Sequence, residues 1–69
     1  MLEVWITDVR MRAQIDETRS RNIPPGITIE AKDRFDDGRV LIRWPEIEER
    51  FGFLTIEGED LESKAHRLN

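Results

Sequence analysis

Apolar and polar residues alternate with a period of two along residues 27–44, on both sides of the dipeptide Asp37-Gly38. Asp-Gly between two alternating runs is typical of a β-hairpin, because a two-residue type I′ turn needs positive φ at both central positions. With this turn, Phe35 faces Val40, and opposed residues share a face of the sheet. The register therefore predicts one apolar face, made of Ile27, Ile29, Ala31, Phe35, Val40, Ile42 and Trp44.

A three-residue turn over residues 36–38 is the alternative. It would pair Arg34 with Val40 and so place charged residues opposite apolar ones. Because a one-residue slip moves every side chain of a strand to the other face, we expect the two-residue turn. Asp33 is the one charged residue on the predicted apolar face, and we expect it to lie near the sheet edge and reach solvent.

Alternation also predicts a strand over residues 1–6, with Trp5 on the face opposite to Leu2, Val4 and Ile6. On that face Trp5 would be exposed or buried in an oligomer interface. Residues 8–19 fit a strand or a helix, and we favour a strand that runs to about Ile15, because helical spacing gives a poor apolar stripe.

Further along the chain, residues 16–22 are polar and predict a loop, and residues 53–57 predict a short strand. Pro45 and the glycine at position 52 bracket a short helix near 45–51. A second helix is expected near 59–68, where Leu61, Ala65 and Leu68 form one stripe. The fold class is therefore α+β and β-rich: one small domain over residues 1–69, with an antiparallel sheet around the 27–44 hairpin.

The tight Asp-Gly hairpin is followed by the sequence RWP…FGFLTIEGEDLE, which spans residues 43–62. Together they resemble the second half of a small SH3-like barrel. The resemblance covers about half the chain and implies a closed barrel of short strands. It carries no functional residue.

The composition limits the chemistry that this chain can perform. It has 69 residues, no cysteine, and a formal net charge of −4. Disulfides and thiol catalysis are excluded, and a chain of this size buries only about 60% of its unfolded surface, so self-association is a plausible source of stability. No apolar run approaches the ~20 residues of a membrane span, and no signal peptide is evident, so we expect a cytoplasmic protein without membrane contact.

Catalysis is not indicated. The single histidine, His66, is expected on the polar face of the terminal helix. Acid–base catalysis by paired carboxylates needs burial or enforced proximity, whereas the adjacent pairs Asp36/Asp37 and Glu48/Glu49 are expected in a turn and on a solvated helix face. The glycines are scattered, so no phosphate-binding loop is present. We expect no catalytic residue, no metal and no cofactor.

The strongest functional signal is the acidity of residues 46–62, where seven acidic residues stand against Arg50 alone. Beyond solubility, it predicts a face that steers association with a basic partner, or that imitates nucleic-acid phosphates. We expect a small regulatory, inhibitory or assembly accessory protein, itself a homodimer, that binds another protein. The residues expected to bind the partner are Trp5, Glu46, Glu48, Glu49, Glu57 and Glu59.

Nucleic-acid binding is the alternative, and a structural subunit of a larger assembly is a third class. Basic residues on the polar face and at the tip of the hairpin could contact a phosphate backbone. These residues are Lys32, Arg34, Arg39 and Arg43. The negative net charge and the acids that alternate with these residues favour a solvated sheet face with cross-strand ion pairs.

Overall fold

A computed structural model of the protein describes residues 2–47 and 53–69. Within these ranges the chain forms an antiparallel sheet and one short helix, which confirms the α+β, β-rich class. The elements are β1 (Glu3–Thr7), β2 (Met11–Gln14), β3 (Ser20–Ile23), β4 (Thr28–Arg34), β5 (Arg39–Arg43), β6 (Phe53–Glu57), α1 (Gly58–Lys64) and β7 (Ala65–Arg67). Residues 53–57 are a strand, as expected.

The sheet has the strand order β3-β2-β6-β5-β4-β1-β7. It is open, because β3 and β7 are edges and do not pair with each other, so the SH3-like barrel is not confirmed. The pairing of β2 with β6 rests on one residue pair, Gln14 with Thr55, whereas β5 pairs with β6 over five residues. The sheet therefore has a weak seam between β2 and β6.

One face of the curved sheet carries the hydrophobic core. Every strand contributes to it, and Leu61 of α1 is fully buried in the same cluster. The buried hydrophobic residues are Trp5, Met11, Ala13, Ile23, Ile29, Ala31, Val40, Ile42, Trp44, Leu54, Ile56, Leu61 and Ala65. The side chains between them point to the outer face, as the period of two requires.

The central hairpin closes through a three-residue turn, so the predicted two-residue turn is wrong. Phe35 N donates to Arg39 O (2.8 Å), and Gly38 N donates to Phe35 O (3.1 Å). Gly38 has φ +90°, a left-handed conformation that glycine adopts without strain. Arg34 pairs with Val40, which is the register that face alternation argued against.

A β-bulge at Lys32 reconciles this register with the core. Ala31 pairs with Ile42 and Asp33 pairs with Leu41, so Lys32 is an extra residue on β4. Before the bulge, β4 has the expected apolar face, because Ile29 and Ala31 are buried. After the bulge, Phe35 is 43% exposed and does not join the core. Asp33 is exposed, as expected.

The predicted orientation of β1 is also wrong. Trp5 is only 7% exposed and belongs to the core, whereas Val4 and Ile6 are half-buried on the outer face. Thr7 explains the reversal. Its Oγ1 donates to Pro24 O (2.7 Å) and accepts from Ile27 N (2.9 Å), so the side chain is held inside and alternation brings Trp5 inside with it.

The segment after β1 is extended, and the strand interpretation is confirmed for β2. The loop expected over residues 16–22 is shorter, because its second half is β3. Asp16 fixes the turn: its Oδ1 accepts from Thr18 N (3.0 Å) and Arg19 N (2.9 Å). The chain can therefore reverse within a few residues and form a hairpin.

The terminal helix ends earlier than the sequence predicts. After α1, Ala65–Arg67 form β7 on the free edge of β1, and Leu68 N donates to Val4 O (2.8 Å). Leu68 is 53% exposed, so it does not extend the stripe of Leu61 and Ala65. Of the helix predicted near 45–51, residues 45–47 form a turn and a bend, and the remainder lies outside the described residues.

Candidate interaction surface

The tip of the central hairpin contacts the start of α1. Gly58 N donates to Gly38 O at 2.8 Å. A Cβ on Gly58 would lie 2.8 Å from the same carbonyl oxygen, so the two backbones can be this close only because position 58 is glycine. The contact joins two acidic segments that are about twenty residues apart in sequence.

The carboxylates brought together by this contact form a surface that we name the acidic end. Its members are Asp36 and Asp37 from the hairpin tip, Glu57 from the end of β6, and Glu59 and Glu62 from α1. All five residues are exposed. Glu59 and Glu62 share one helix face, because residues three apart on a helix are neighbours.

Within the described part of the chain, one member of the acidic end, Asp37, is paired with a guanidinium. Arg39 Nε lies 2.7 Å from Asp37 Oδ2, and Arg39 N also donates to Asp37 Oδ1 (3.1 Å). The backbone N–H of Arg39, and then its side chain, lower the pKa of Asp37 from its ordinary value. No other member of the acidic end has a basic group within 4.0 Å among the described residues, whereas the neighbouring Asp60 pairs with Lys64 (3.5 Å).

A groove of about 200 Å³ adjoins the acidic end at the β2–β6 seam. Glu57 and Asp60 line it from one side, and Arg12 and Arg39 also line it. The groove lies where β2 and β6 share a single residue pair, and both residues of that pair, Gln14 and Thr55, line it. A second depression next to it is lined by Asp16 and Glu17 among others, so further acids surround the seam.

The residues expected to bind a partner are therefore not all in one place. Glu57 and Glu59 lie in the acidic end, but Glu46 follows the opposite end of the β5–β6 hairpin. Four residue steps separate these ends, or about 13 Å at the strand rise of about 3.4 Å per residue. Glu48 and Glu49 lie outside the described residues. Trp5 is buried, so it contributes no surface.

The sequence did not predict that Asp36 and Asp37 lie next to α1. The sequence does place a glycine beside each group of acids: Gly38 after Asp36 and Asp37, and Gly58 between Glu57 and Glu59. The residues around each glycine do not show that the two glycines are in contact in the fold. The contact is tertiary.

The four basic residues of the nucleic-acid alternative each have a carboxylate neighbour. Arg34 lies 2.9 Å from Glu3, Arg43 lies 3.3 Å from Glu30, and Lys32 lies 4.0 Å from the same glutamate. Arg39 pairs with Asp37, as described above. The pairs Arg34–Glu3 and Arg43–Glu30 are cross-strand, as expected, whereas Lys32–Glu30 and Arg39–Asp37 are local in sequence. Together they leave little uncompensated positive charge on the hairpin.

Glu3 is held by two partners. Its Oε1 accepts from Trp5 Nε1 (3.1 Å) and from Arg34 Nη2 (2.9 Å). The indole hydrogen bond, followed by Arg34 and the charge of Arg67, lowers the pKa of Glu3. The buried indole is thereby satisfied, and Arg34 is fixed away from the hairpin tip.

His66 lies on β7 and not on a helix, and its Nδ1 is 2.6 Å from Asp8 Oδ1. Within residues 2–47 and 53–69, no three His, Asp or Glu side chains converge in a way that could hold a metal ion. Among the described residues, no helix combines the length and the apolar character needed to cross a membrane.

No family model matches this chain, and the comparisons with curated proteins and with solved structures found no match.

Proposed function

We propose that this protein is a non-enzymatic, cytoplasmic protein-interaction module that binds a basic surface of another protein through the acidic end. Its role would be that of a small regulatory, inhibitory or assembly accessory protein. The observation that carries the proposal is the contact of Gly58 N with Gly38 O at 2.8 Å, which brings together five exposed carboxylates. Of these, only Asp37 has a basic partner within 4.0 Å among the described residues.

The hairpin face and the acidic end differ in how many of their charged side chains have a partner of opposite charge. On the hairpin face, Arg34 and Arg43 are each held by a glutamate. At the acidic end, only Asp37 is held by a cation within the described part of the chain. A surface with uncompensated charge of one sign steers the encounter with a partner of the opposite sign. The acidic end therefore supports a basic protein partner over nucleic acid.

The seam groove supports the same function, because it offers a depression beside the charged surface. Glu57 and Asp60 line it together with Arg12 and Arg39, so the groove offers charged hydrogen-bonding groups of both signs to a partner side chain. Gln14 and Thr55 also line the groove and supply neutral hydrogen-bonding groups.

The test compares two charge reversals that change the net charge equally. Glu59→Lys lies in the acidic end, and Glu46→Lys lies beyond the other end of the β5–β6 hairpin. Each variant and the unmodified protein are used to purify partners from the native host, at low and high salt. We expect Glu59→Lys to reduce recovery of a defined partner at least tenfold and Glu46→Lys to leave it within about twofold.

The same proteins are also titrated with duplex and single-stranded oligonucleotides. We expect no binding at 150 mM salt. Equal loss of partner recovery in both reversals would mean that net charge alone governs association. Oligonucleotide binding that is lost on Arg43→Gln would move the functional surface to the hairpin face.

A further inference from the structure

The outer face of β1 carries apolar side chains that the core does not use. Trp5 and Thr7 point inward, so Val4 and Ile6 point outward. Both are half-buried, and neither belongs to the core cluster or to the hydrophobic side chains packed against it. They lie on a sheet face that no element covers in the described structure.

The chain ends extend this apolar surface. Leu68 N donates to Val4 O (2.8 Å), so the two residues are directly opposed and share the outer face. Leu2 continues the same face two residues before Val4, and its carbonyl accepts from Asn69 Nδ2 (2.7 Å). Leu2 and Leu68 are both exposed. We name Leu2, Val4, Ile6 and Leu68 the β1–β7 patch.

The charged and polar side chains beside this patch have partners within the chain. Glu30, opposite Val4 on β4, lies 3.3 Å from Arg43. His66, opposite Ile6 on β7, lies 2.6 Å from Asp8. A face with paired charges can meet an identical face without like-charge repulsion, whereas the acidic end would repel a second acidic end.

Addition of a strand to the free edge of β7 is a less suitable mode of association. Since Leu68 is hydrogen-bonded to Val4, the alternation of an antiparallel ladder turns the backbone groups of Ala65 and Arg67 away from β1. Ala65 is buried, so an incoming strand could reach only Arg67. The exposed side chains of the sheet face, not the backbone edge, are available for contact.

We propose that the β1–β7 patch is the interface of a symmetric homodimer, in which the patch of one copy packs face to face on the patch of a second copy. A two-fold axis through the patch pairs the same apolar side chains from both copies, as isologous interfaces require. The paired charges around the patch favour a second copy over a strongly charged partner. This interface is separate from the acidic end, so the dimer and the proposed function can fail independently.

The experiment measures the solution mass of the tag-free protein by sedimentation velocity from 1 to 200 μM. Leu68→Glu places a charge in the patch at a position that is 53% exposed and next to the chain end. Val9→Glu is the matched control, because Val9 is 49% exposed and lies outside the patch. We expect the unmodified protein and Val9→Glu to dimerise, and Leu68→Glu to raise the dimer dissociation constant at least tenfold. Far-ultraviolet circular dichroism and thermal unfolding establish that each variant is folded.

A second variant, Ile6→Lys, tests the centre of the patch and should also dissociate the dimer. A protein that stays monomeric to 200 μM would overturn the proposal. Association that persists in both patch variants would overturn it as well, since the contact would then lie elsewhere. A dimer that Val9→Glu disrupts as strongly as Leu68→Glu would show that added charge, and not the patch, is responsible.

Discussion

Gly58 N donates to Gly38 O at 2.8 Å, and this single backbone contact fixes the start of α1 against the tip of the β4–β5 hairpin. A methyl group on position 58 would lie 2.8 Å from that carbonyl oxygen. Backbone atoms cannot move aside as a flexible side chain can. The arrangement of the acidic end therefore depends on one glycine, which stands between two of its members, Glu57 and Glu59.

Gly58→Ala tests this dependence. Helix propensity alone would make alanine the more stable residue by up to about 1 kcal/mol. We expect the opposite sign, a loss of about 1–3 kcal/mol in the free energy of unfolding, because the added carbon overlaps Gly38 O. Urea denaturation measures the difference. Ser63→Ala, on the exposed side of the same helix, should change stability by less than about 0.5 kcal/mol, and a stabilised Gly58→Ala would show that the contact is not tight.

The three-residue turn makes a second prediction about the central hairpin. In the two-residue register Phe35 would be a core residue, but in the structure it is 43% exposed and contacts the Arg39 guanidinium at 5.9 Å. We expect Phe35→Ala to cost about 1 kcal/mol or less, the range of an exposed cation–π contact. Ile42→Ala, at a fully buried position, should cost about 2–5 kcal/mol. Equal costs in chemical denaturation would contradict the bulged register.

The hairpin shows how far the sequence could predict this fold. Asp37-Gly38 correctly located the reversal, and alternation correctly identified Ile29, Ala31 and Ile42 as core. The bulge at Lys32 could not be foreseen, because an extra residue in one strand leaves no mark on the pattern. It is tolerated here because Lys32 is exposed on the strand, where its side chain reaches solvent.

The ends of the chain were predicted less well for a different reason. The spacing of Leu61, Ala65 and Leu68 predicted a helix through residues 65–67. In the structure these residues are extended, because they form backbone hydrogen bonds with the free edge of β1. The inward orientation of Trp5 depends on Thr7, whose partners Pro24 and Ile27 are about twenty residues away. Local pattern has no access to either contact. For the same reason it missed Asp36 and Asp37 as neighbours of α1.

The orientation of Trp5 has a direct energetic test. Trp5 is a core residue that is only 7% exposed. Its replacement by alanine should therefore lower the free energy of unfolding by about 3–5 kcal/mol. That loss is comparable to the total stability of a small domain, so we expect Trp5→Ala to be largely unfolded at 25 °C by circular dichroism. Trp5→Phe keeps most of the buried area and should remain folded. A folded, fully stable Trp5→Ala would place the indole on the surface.

Asp16 makes stability depend on pH in the acid range. A hydrogen bond from the Arg19 side chain, and then those from the backbone of Thr18 and Arg19, lower the pKa of Asp16 from 3.8 to about 2. Because the folded pKa is depressed, the stabilisation is complete above 3.8 and is lost as the pH falls through about 2. We expect Asp16→Asn to lower the free energy of unfolding at neutral pH, with a difference that shrinks steadily between about pH 4 and pH 2. A difference that does not vary with pH would show that the charge of Asp16 is not involved.

Thr7 provides the sharpest test of what holds β1 in place. Its side chain is 2% exposed, and its hydroxyl both donates to Pro24 O (2.7 Å) and accepts from Ile27 N (2.9 Å). Thr7→Val keeps the shape of the side chain but removes both hydrogen bonds. We expect a loss of about 1–3 kcal/mol, since each hydrogen bond contributes about 0.5–1.5 kcal/mol net. Thr7→Ser keeps the hydroxyl and removes only a methyl group. It should therefore retain more stability than Thr7→Val in thermal and urea unfolding, although valine is the more hydrophobic and the better strand former. The reverse order would mean that burial of the methyl group, and not the pair of hydrogen bonds, fixes the inward face of β1.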